Sequence, residues 1–146
     1  QAFGYEIKLR EAMSDIWLDF LKISLTSETS MKQCVHTDTT IKKMMVYVYD
    51  HYGEKITITD LSKAVYMSER ECYRVFREQL HMTPVEYITE YRLQKACEQL
   101  INSSDTVADI ACACGWESNS YFGRIFKERI GVSPMQYRKN WQNRYK

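Results

Sequence analysis

The strongest constraint in this sequence is an internal repeat with a period of about fifty residues. Residues 68–87 read SERECYRVFREQLHMTPVEY and residues 118–137 read SNSYFGRIFKERIGVSPMQY, with six identical positions at an offset of 50. Upstream, residues 61–67 match residues 110–116 at an offset of 49. Two copies are too few for a solenoid, so the repeat predicts a pair of equivalent small modules.

Each copy carries the signals of a short helix, a tight turn and a second helix. Thr59 or Asp60 is a candidate N-cap of the short helix in copy one, and Asp105 or Thr106 in copy two. The predicted buried face of the short helix consists of Leu61, Ala64 and Val65 in copy one, and of Val107, Ile110, Ala111 and Cys114 in copy two.

The turns of the two copies differ in their glycines. Gly115 in copy two can adopt a left-handed backbone, whereas Tyr66 stands at that position in copy one. At the end of the second helix, His81 in copy one replaces Gly131 of copy two, so we expect a different cap geometry there.

The second helices are expected over about 69–80 and 119–130, each after a capping serine, Ser68 or Ser118. Glu71 completes a capping box with Ser68, and copy two lacks the box. The periodicity buries Cys72, Val75, Phe76 and Leu80, or Phe122, Ile125, Phe126 and Ile130. It exposes Arg70, Tyr73, Arg74 and Arg77, or Asn119, Ser120, Gly123, Arg124 and Lys127.

Longer helices connect and extend the copies. One is predicted from Thr39 or Thr40 to Tyr52, and a final helix opens at Pro134 after Ser133. A stiff linking helix runs from Pro84, after the cap Thr83, to about Ile101. Its predicted apolar side consists of Val85, Ile88, Tyr91, Leu93, Ala96, Cys97 and Leu100.

The first 38 residues have a different character. Residues 3–25 predict an amphipathic helix whose stripe runs from Leu9 to Ile23, followed by a polar linker. Residues 1–38 hold four basic and six acidic groups, whereas residues 39–146 hold 16 and 13. We therefore expect an all-α chain divided into 1–38, an amphipathic helix with a polar linker, and 39–146, a double helix-turn-helix domain.

Composition excludes several classes of protein. Gly (5) and Pro (2) are scarce, which argues against a many-stranded sandwich. The sequence contains no run of 18 apolar residues, so it predicts no membrane span. The five cysteines include a CxC at Cys112 and Cys114, which we interpret as core rather than metal ligands. Free thiols suit the cytoplasm. No catalytic, metal or cofactor motif is present, so we expect no enzyme and no cofactor.

The stretch IACACGWESNSYFGRIFKERIGVSPMQYR, residues 110–138, resembles the signature of the AraC/XylS family of bacterial transcription regulators. The resemblance covers about 39–141, the C-terminal DNA-binding domain of that family. It implies two homeodomain-like helix-turn-helix units joined by a long helix, each placing a recognition helix in successive major grooves of promoter DNA. It also implies a sensor domain outside this sequence, which helix 3–23 would end.

Under this resemblance, the candidate DNA-binding residues are Ser68, Arg70, Tyr73, Arg74, Arg77, Ser118, Asn119, Ser120, Gly123, Arg124 and Lys127. Arg74 and Arg124 could grip guanine through two parallel hydrogen bonds, and Arg77 and Lys127 could contact phosphates. RNA polymerase and a second copy held through residues 3–23 are candidate partners. The alternative is a helical interaction module without DNA binding, in which these arginines are merely solvated.

Overall fold

The computed structural model describes residues 34–144, and all regular secondary structure in that range is helical. The order is α1 (Cys34–His51), α2 (Ile58–Val65), α3 (Glu69–Leu80), α4 (Pro84–Asn102), α5 (Val107–Ala113), α6 (Asn119–Ile130) and α7 (Pro134–Arg144). The all-α prediction is confirmed, while the predicted helix within residues 3–25 lies outside the described range. No helix between residues 34 and 144 is long and apolar enough to cross a membrane.

The helix boundaries follow the expected caps with two corrections. α2 is capped by Thr57 rather than by Thr59 or Asp60, because the Thr57 hydroxyl accepts the Asp60 N–H (3.2 Å) while the Asp60 carboxylate accepts the Thr57 N–H (2.9 Å). α1 begins at Cys34, earlier than the predicted Thr39 or Thr40. The predicted cap at Thr106 and the first-turn position of Pro84 are confirmed.

The backbone is left-handed at equivalent positions after the helices of both copies, although the residues at those positions differ. His81 has φ 55° and donates its N–H to the Arg77 carbonyl (3.1 Å), and Gly131 has φ 94° and donates to the Lys127 carbonyl (2.9 Å). The expectation of a different cap geometry at His81 is therefore wrong. Tyr66 (φ 56°) likewise adopts the left-handed backbone of Gly115 (φ 82°), because the same turn hydrogen bonds must form in both copies.

Replacing His81 with Gly should raise the free energy of unfolding by about 0.5–1 kcal/mol. A left-handed non-glycine residue costs about 1–2 kcal/mol, of which glycine's extra chain entropy in the unfolded state takes back about 0.5–1. Urea denaturation would measure the change. Gly131→His is the matched control and should lower stability by a similar amount; an unchanged or less stable His81→Gly variant would contradict the strain at this residue.

Two apolar cores support the two copies. The first gathers Ile41, Met44, Val48, Leu61, Cys72, Val75, Phe76, Ile88 and Tyr91. The second gathers Leu93, Ala96, Leu100, Ile110, Ala111, Cys114, Trp116, Phe122, Phe126, Ile130 and Tyr137. The single helix α4, about 28 Å long at 1.5 Å per residue, supplies side chains to both, so the linking helix is also a wall of each unit.

Three residues expected on buried faces are exposed. Ala64 is exposed because α2 buries Leu61 and Ser62, so its buried face is rotated about the helix axis from the predicted face of Leu61, Ala64 and Val65. The buried Ser62 is compatible with this face because its hydroxyl donates to the Thr59 carbonyl (2.8 Å).

Val85 is 59% exposed in the first turn of α4. Cys112 is also exposed, whereas Cys114 of the same CxC is buried as expected.

The two units meet at a joint between the end of α1 and the turn after α5. The Arg92 guanidinium, on α4, donates to the carbonyls of Tyr52 (2.9 Å) and Glu54 (2.7 Å), which satisfies acceptors left open at the end of α1. Gly115 lies so close that an added Cβ would overlap the Tyr52 carbonyl oxygen. Tyr52 packs against both cores, so this joint, together with α4, connects the two units.

Candidate nucleic-acid interface

The outer face of α3 presents a row of basic and aromatic side chains. Arg70, Tyr73, Arg74 and Arg77 are all exposed, while Cys72, Val75 and Phe76 of the same helix are buried. The helix is held by a capping box, in which the Ser68 hydroxyl accepts the Glu71 N–H (3.2 Å) and the Glu71 carboxylate accepts the Ser68 N–H (3.1 Å). The structure therefore gathers the predicted candidates of copy one on one solvent-facing surface.

The outer face of α6 carries smaller side chains and fewer carboxylates than that of α3. Asn119, Ser120, Arg124 and Lys127 are exposed, and Gly123 lies half-buried among them. The Ser118 hydroxyl accepts the Tyr121 N–H (3.3 Å), and no capping box forms, as predicted. A Cβ added at Gly123 would meet no atom of the described chain within 4 Å. Nothing in the fold around α6 thus requires a glycine at this position.

The acidic residues near α3 and α6 are engaged within the protein. The Glu69 carboxylate accepts the Thr59 hydroxyl (2.6 Å), and Glu117 pairs with Lys55 (3.5 Å). Hydrogen bonds from Thr57 lower the pKa of Asp60, and bonds from the Ser68 N–H and hydroxyl lower the pKa of Glu71. Each of these four carboxylates therefore has a local partner within the protein.

The equivalent arginines of the two units have different neighbours. Arg74 Nη1 lies 3.5 Å from Glu78 Oε2, one helical turn farther along α3. The Arg124 guanidinium lies over the ring of Tyr121, with Cζ 5.2 Å from the ring centroid. Tyr121 is 49% exposed and was not among the predicted site residues, although an aromatic residue three positions before an arginine on a helix face is a readable signal.

Several large aromatic side chains of the two repeats, and one thiol, belong to the core. Phe76, Phe126, Tyr137 and Trp116 are buried, and burial raises the pKa of Tyr87 to about 12. Burial likewise raises the pKa of the Cys114 thiol to about 11, which suits a packed thiol rather than a reactive one. Between residues 34 and 144, no group of three or more His, Cys, Asp or Glu is arranged to hold a metal ion.

Known proteins share both this sequence and this architecture. A family model described as a helix-turn-helix domain matches residues 61–140. The uncharacterized HTH-type transcriptional regulator YdeC of Bacillus subtilis is 30% identical over 135 residues, covering 92% of this chain and 46% of that protein. The HTH-type transcriptional activator RhaS of Klebsiella pneumoniae is 25% identical over 139 residues, covering 94% and 50%. The chain thus spans about half the length of these relatives.

Solved structures of similar fold also come from transcription regulators. The DNA-binding domain of AdpA, a global transcriptional factor solved in complex with a target DNA, superposes with a TM-score of 0.69 at 26% identity, covering 72% of this chain and 95% of that one. The C-terminal domain of AraT, a response regulator from Geobacillus stearothermophilus, gives 0.67 at 25% identity, covering 69% and 84%. Together with the repeated helix-turn-helix geometry, these matches show that the chain belongs to the AraC/XylS family of helix-turn-helix transcription regulators.

Proposed function

We propose that this chain binds a promoter sequence in double-stranded DNA and regulates transcription in the bacterial cytoplasm, with α3 and α6 entering successive major grooves. The observation that carries the proposal is the pair of equivalent outer faces, each with an arginine at the same helical position, Arg74 or Arg124, and neither needed by a core. AdpA, whose domain superposes on this chain, was solved in complex with a target DNA.

The proposed roles follow from the chemistry of each side chain. Arg74 and Arg124 would pair with guanine edges, while Arg70, Tyr73, Asn119 and Ser120 supply donors and acceptors for other bases. Arg77 and Lys127, one turn farther along, would bind phosphates. Ser68 and Ser118 first stabilise the helix starts, where a phosphate can also approach the backbone N–H groups.

Other parts of the proposal concern the whole regulator. Residues 1–38 would end a sensor domain and 39–146 would bind DNA, with no catalytic activity in either part. A homodimer through residues 3–23 would place two chains on one promoter, and RNA polymerase would be the downstream partner. Residues 3–23 lie outside the described range, so these points rest on the amphipathic stripe from Leu9 to Ile23 and on the family.

The direct test is a selection of genome fragments by the purified chain, followed by titration of the enriched duplex against salt. One enriched motif with two half-sites about one helical turn apart, and a steep loss of affinity with salt, is the expected result. If a folded sample enriched no motif, the DNA-binding proposal would fail for this chain, and the interaction-module alternative would be favoured.

Gly123→Ala should separate folding from DNA binding. Alanine in a helix interior is favoured over glycine by about 0.8–1 kcal/mol, and the space around Gly123 is open, so the variant should be more stable. Its affinity for the enriched duplex should fall, because the methyl group stands where DNA approaches α6. Thermal denaturation and duplex titration measure the two effects. A variant that is more stable and binds equally well would remove Gly123 from the interface.

A further inference from the structure

The surroundings of Arg124 and Arg74 differ because one residue differs between the repeats. Three positions before Arg74 stands Glu71, which is held in the Ser68 capping box. Three positions before Arg124 stands Tyr121, whose ring lies beneath the Arg124 guanidinium. A carboxylate follows each arginine by four residues, at Glu78 and Glu128. Only Arg74 pairs with it in the described structure, whereas Arg124 lies on the ring.

The Tyr121 ring is itself supported from below. Its centroid lies 5.9 Å from that of Trp116, which is buried in the second core and also contacts Phe122 at 5.4 Å. Trp116, Tyr121 and Arg124 therefore form a continuous series of contacts that runs from the core to the outer face of α6. A guanidinium resting on a supported ring has fewer conformations to lose on binding than one on a free side chain.

The two arrangements leave different parts of the guanidinium available. A cation held over an aromatic ring is attracted by the ring's π face and takes up no hydrogen-bond acceptor, so the guanidinium N–H donors that match guanine O6 and N7 remain available. An ion pair with a carboxylate uses those same N–H donors. Glu78 therefore competes with a base for Nη1 of Arg74, whereas Arg124 can keep its contact with Tyr121.

We propose that Tyr121 is a positioning residue that presents Arg124 to DNA, and that the second unit consequently contributes more binding free energy than the first. This inference rests on the proposed function. The charges agree with it: α3 carries Arg70, Arg74 and Arg77 against Glu69, Glu71 and Glu78, whereas α6 carries Arg124 and Lys127 against Glu128, since its Arg129 pairs with Glu90 of α4 (3.0 Å). Phosphates of the DNA meet less repulsion at α6.

The test compares Tyr121→Phe with Tyr121→Leu on the most enriched duplex from the selection above. Phenylalanine keeps the ring, and we expect it to bind within about twofold of the unaltered chain, because the ring face carries the interaction. Leucine keeps an apolar contact with Trp116 but removes the ring. We expect it to weaken binding by about two- to fivefold, the range of an exposed cation–π contact, and to relax the preference at the base read by Arg124.

A double-mutant cycle with Arg124→Ala supplies the discriminating control. Tyr121→Leu should have no further effect on DNA affinity in the Arg124→Ala background. In a chain that keeps Arg124, and without DNA, Tyr121→Leu should shift the Arg124 side-chain proton signals because it removes the ring current. An equal loss in both backgrounds, or an equal loss for Phe and Leu, would show that Tyr121 contacts DNA itself and would overturn the positioning role. Failure of the unaltered chain to bind any duplex would instead overturn the proposed function, and this inference with it.

The unequal contributions of the two units to the binding free energy can be measured separately. Arg124→Ala should weaken binding more than Arg74→Ala, and Glu78→Gln should strengthen binding by about two- to threefold by releasing Arg74 from an exposed ion pair. Equal losses for the two alanine variants, together with no gain for Glu78→Gln, would contradict the ranking of the units.

Discussion

Replacing Gly115 with Ala should lower the free energy of unfolding by about 1.5–4 kcal/mol. Gly115 has φ 82°, and a left-handed alanine costs about 1–2 kcal/mol, of which the loss of glycine's extra chain entropy in the unfolded state returns about 0.5–1. The added Cβ would also overlap the Tyr52 carbonyl oxygen and lie 3.0 Å from Arg92 Nε, and such overpacking adds about 1–3 kcal/mol. Because folded domains are stable by only about 5–15 kcal/mol, denaturant titration should show a large shift.

Gly131→Ala separates the two causes of this loss. Gly131 is also left-handed, at φ 94°, but a Cβ there would meet no atom of the described chain within 4 Å. It should therefore show the net backbone cost alone, about 0.5–1 kcal/mol. Equal losses at Gly115 and Gly131 would contradict the close contact at the joint. A Gly115→Ala variant that remains folded should also bind DNA less well, because α3 and α6 would no longer keep their mutual orientation.

Arg124→Ala should reduce affinity for the enriched duplex by about 1–3 kcal/mol, which is about five- to 150-fold. The loss should concentrate at one base position, because a guanidinium that grips guanine through two hydrogen bonds discriminates against the other bases. Stability should change little, since the side chain is exposed and its contact with Tyr121 is a surface contact. Titration against duplexes altered one base pair at a time provides the measurement.

Lys127→Ala is the matched control for the Arg124 prediction. Lys127 lies one turn farther along α6, and we assign it to phosphate. Its loss should weaken all duplexes about equally and reduce the salt slope by about one. An Arg124→Ala variant that weakened every duplex alike would move Arg124 to the phosphate class, and one that bound as well as the unaltered chain would remove it from the interface.

Local sequence patterns predicted the elements well. Helical periodicity placed the buried faces of α3 and α6, and capping residues such as Ser68, Thr83 and Thr106 placed helix starts. These features were readable because each depends on residues three or four apart. The errors were also local: Ala64 was assigned to the wrong side of the short helix α2, where eight residues leave the phase poorly defined.

The arginines that hold the architecture together were not predicted. Arg92 donates to the Tyr52 carbonyl across 40 positions in sequence, and Arg138 donates to the Leu100 carbonyl across 38. Both satisfy backbone oxygens at the end of an earlier helix. A backbone acceptor is present at every residue, so no residue type in the sequence marks which carbonyl such an arginine will reach.

The sequence by itself determined that this chain is a doubled helix-turn-helix domain, because the repeat, the helical periodicity and the serine caps are properties of neighbouring residues. Only the tertiary structure decided the rest. It showed left-handed backbones at Tyr66 and His81 where glycine would be expected, and the close joint between Gly115 and Tyr52. It also showed Arg124 resting on Tyr121. These features arise when turns close and the units pack, and the free energy of that packing overrides the local preferences that a sequence reveals.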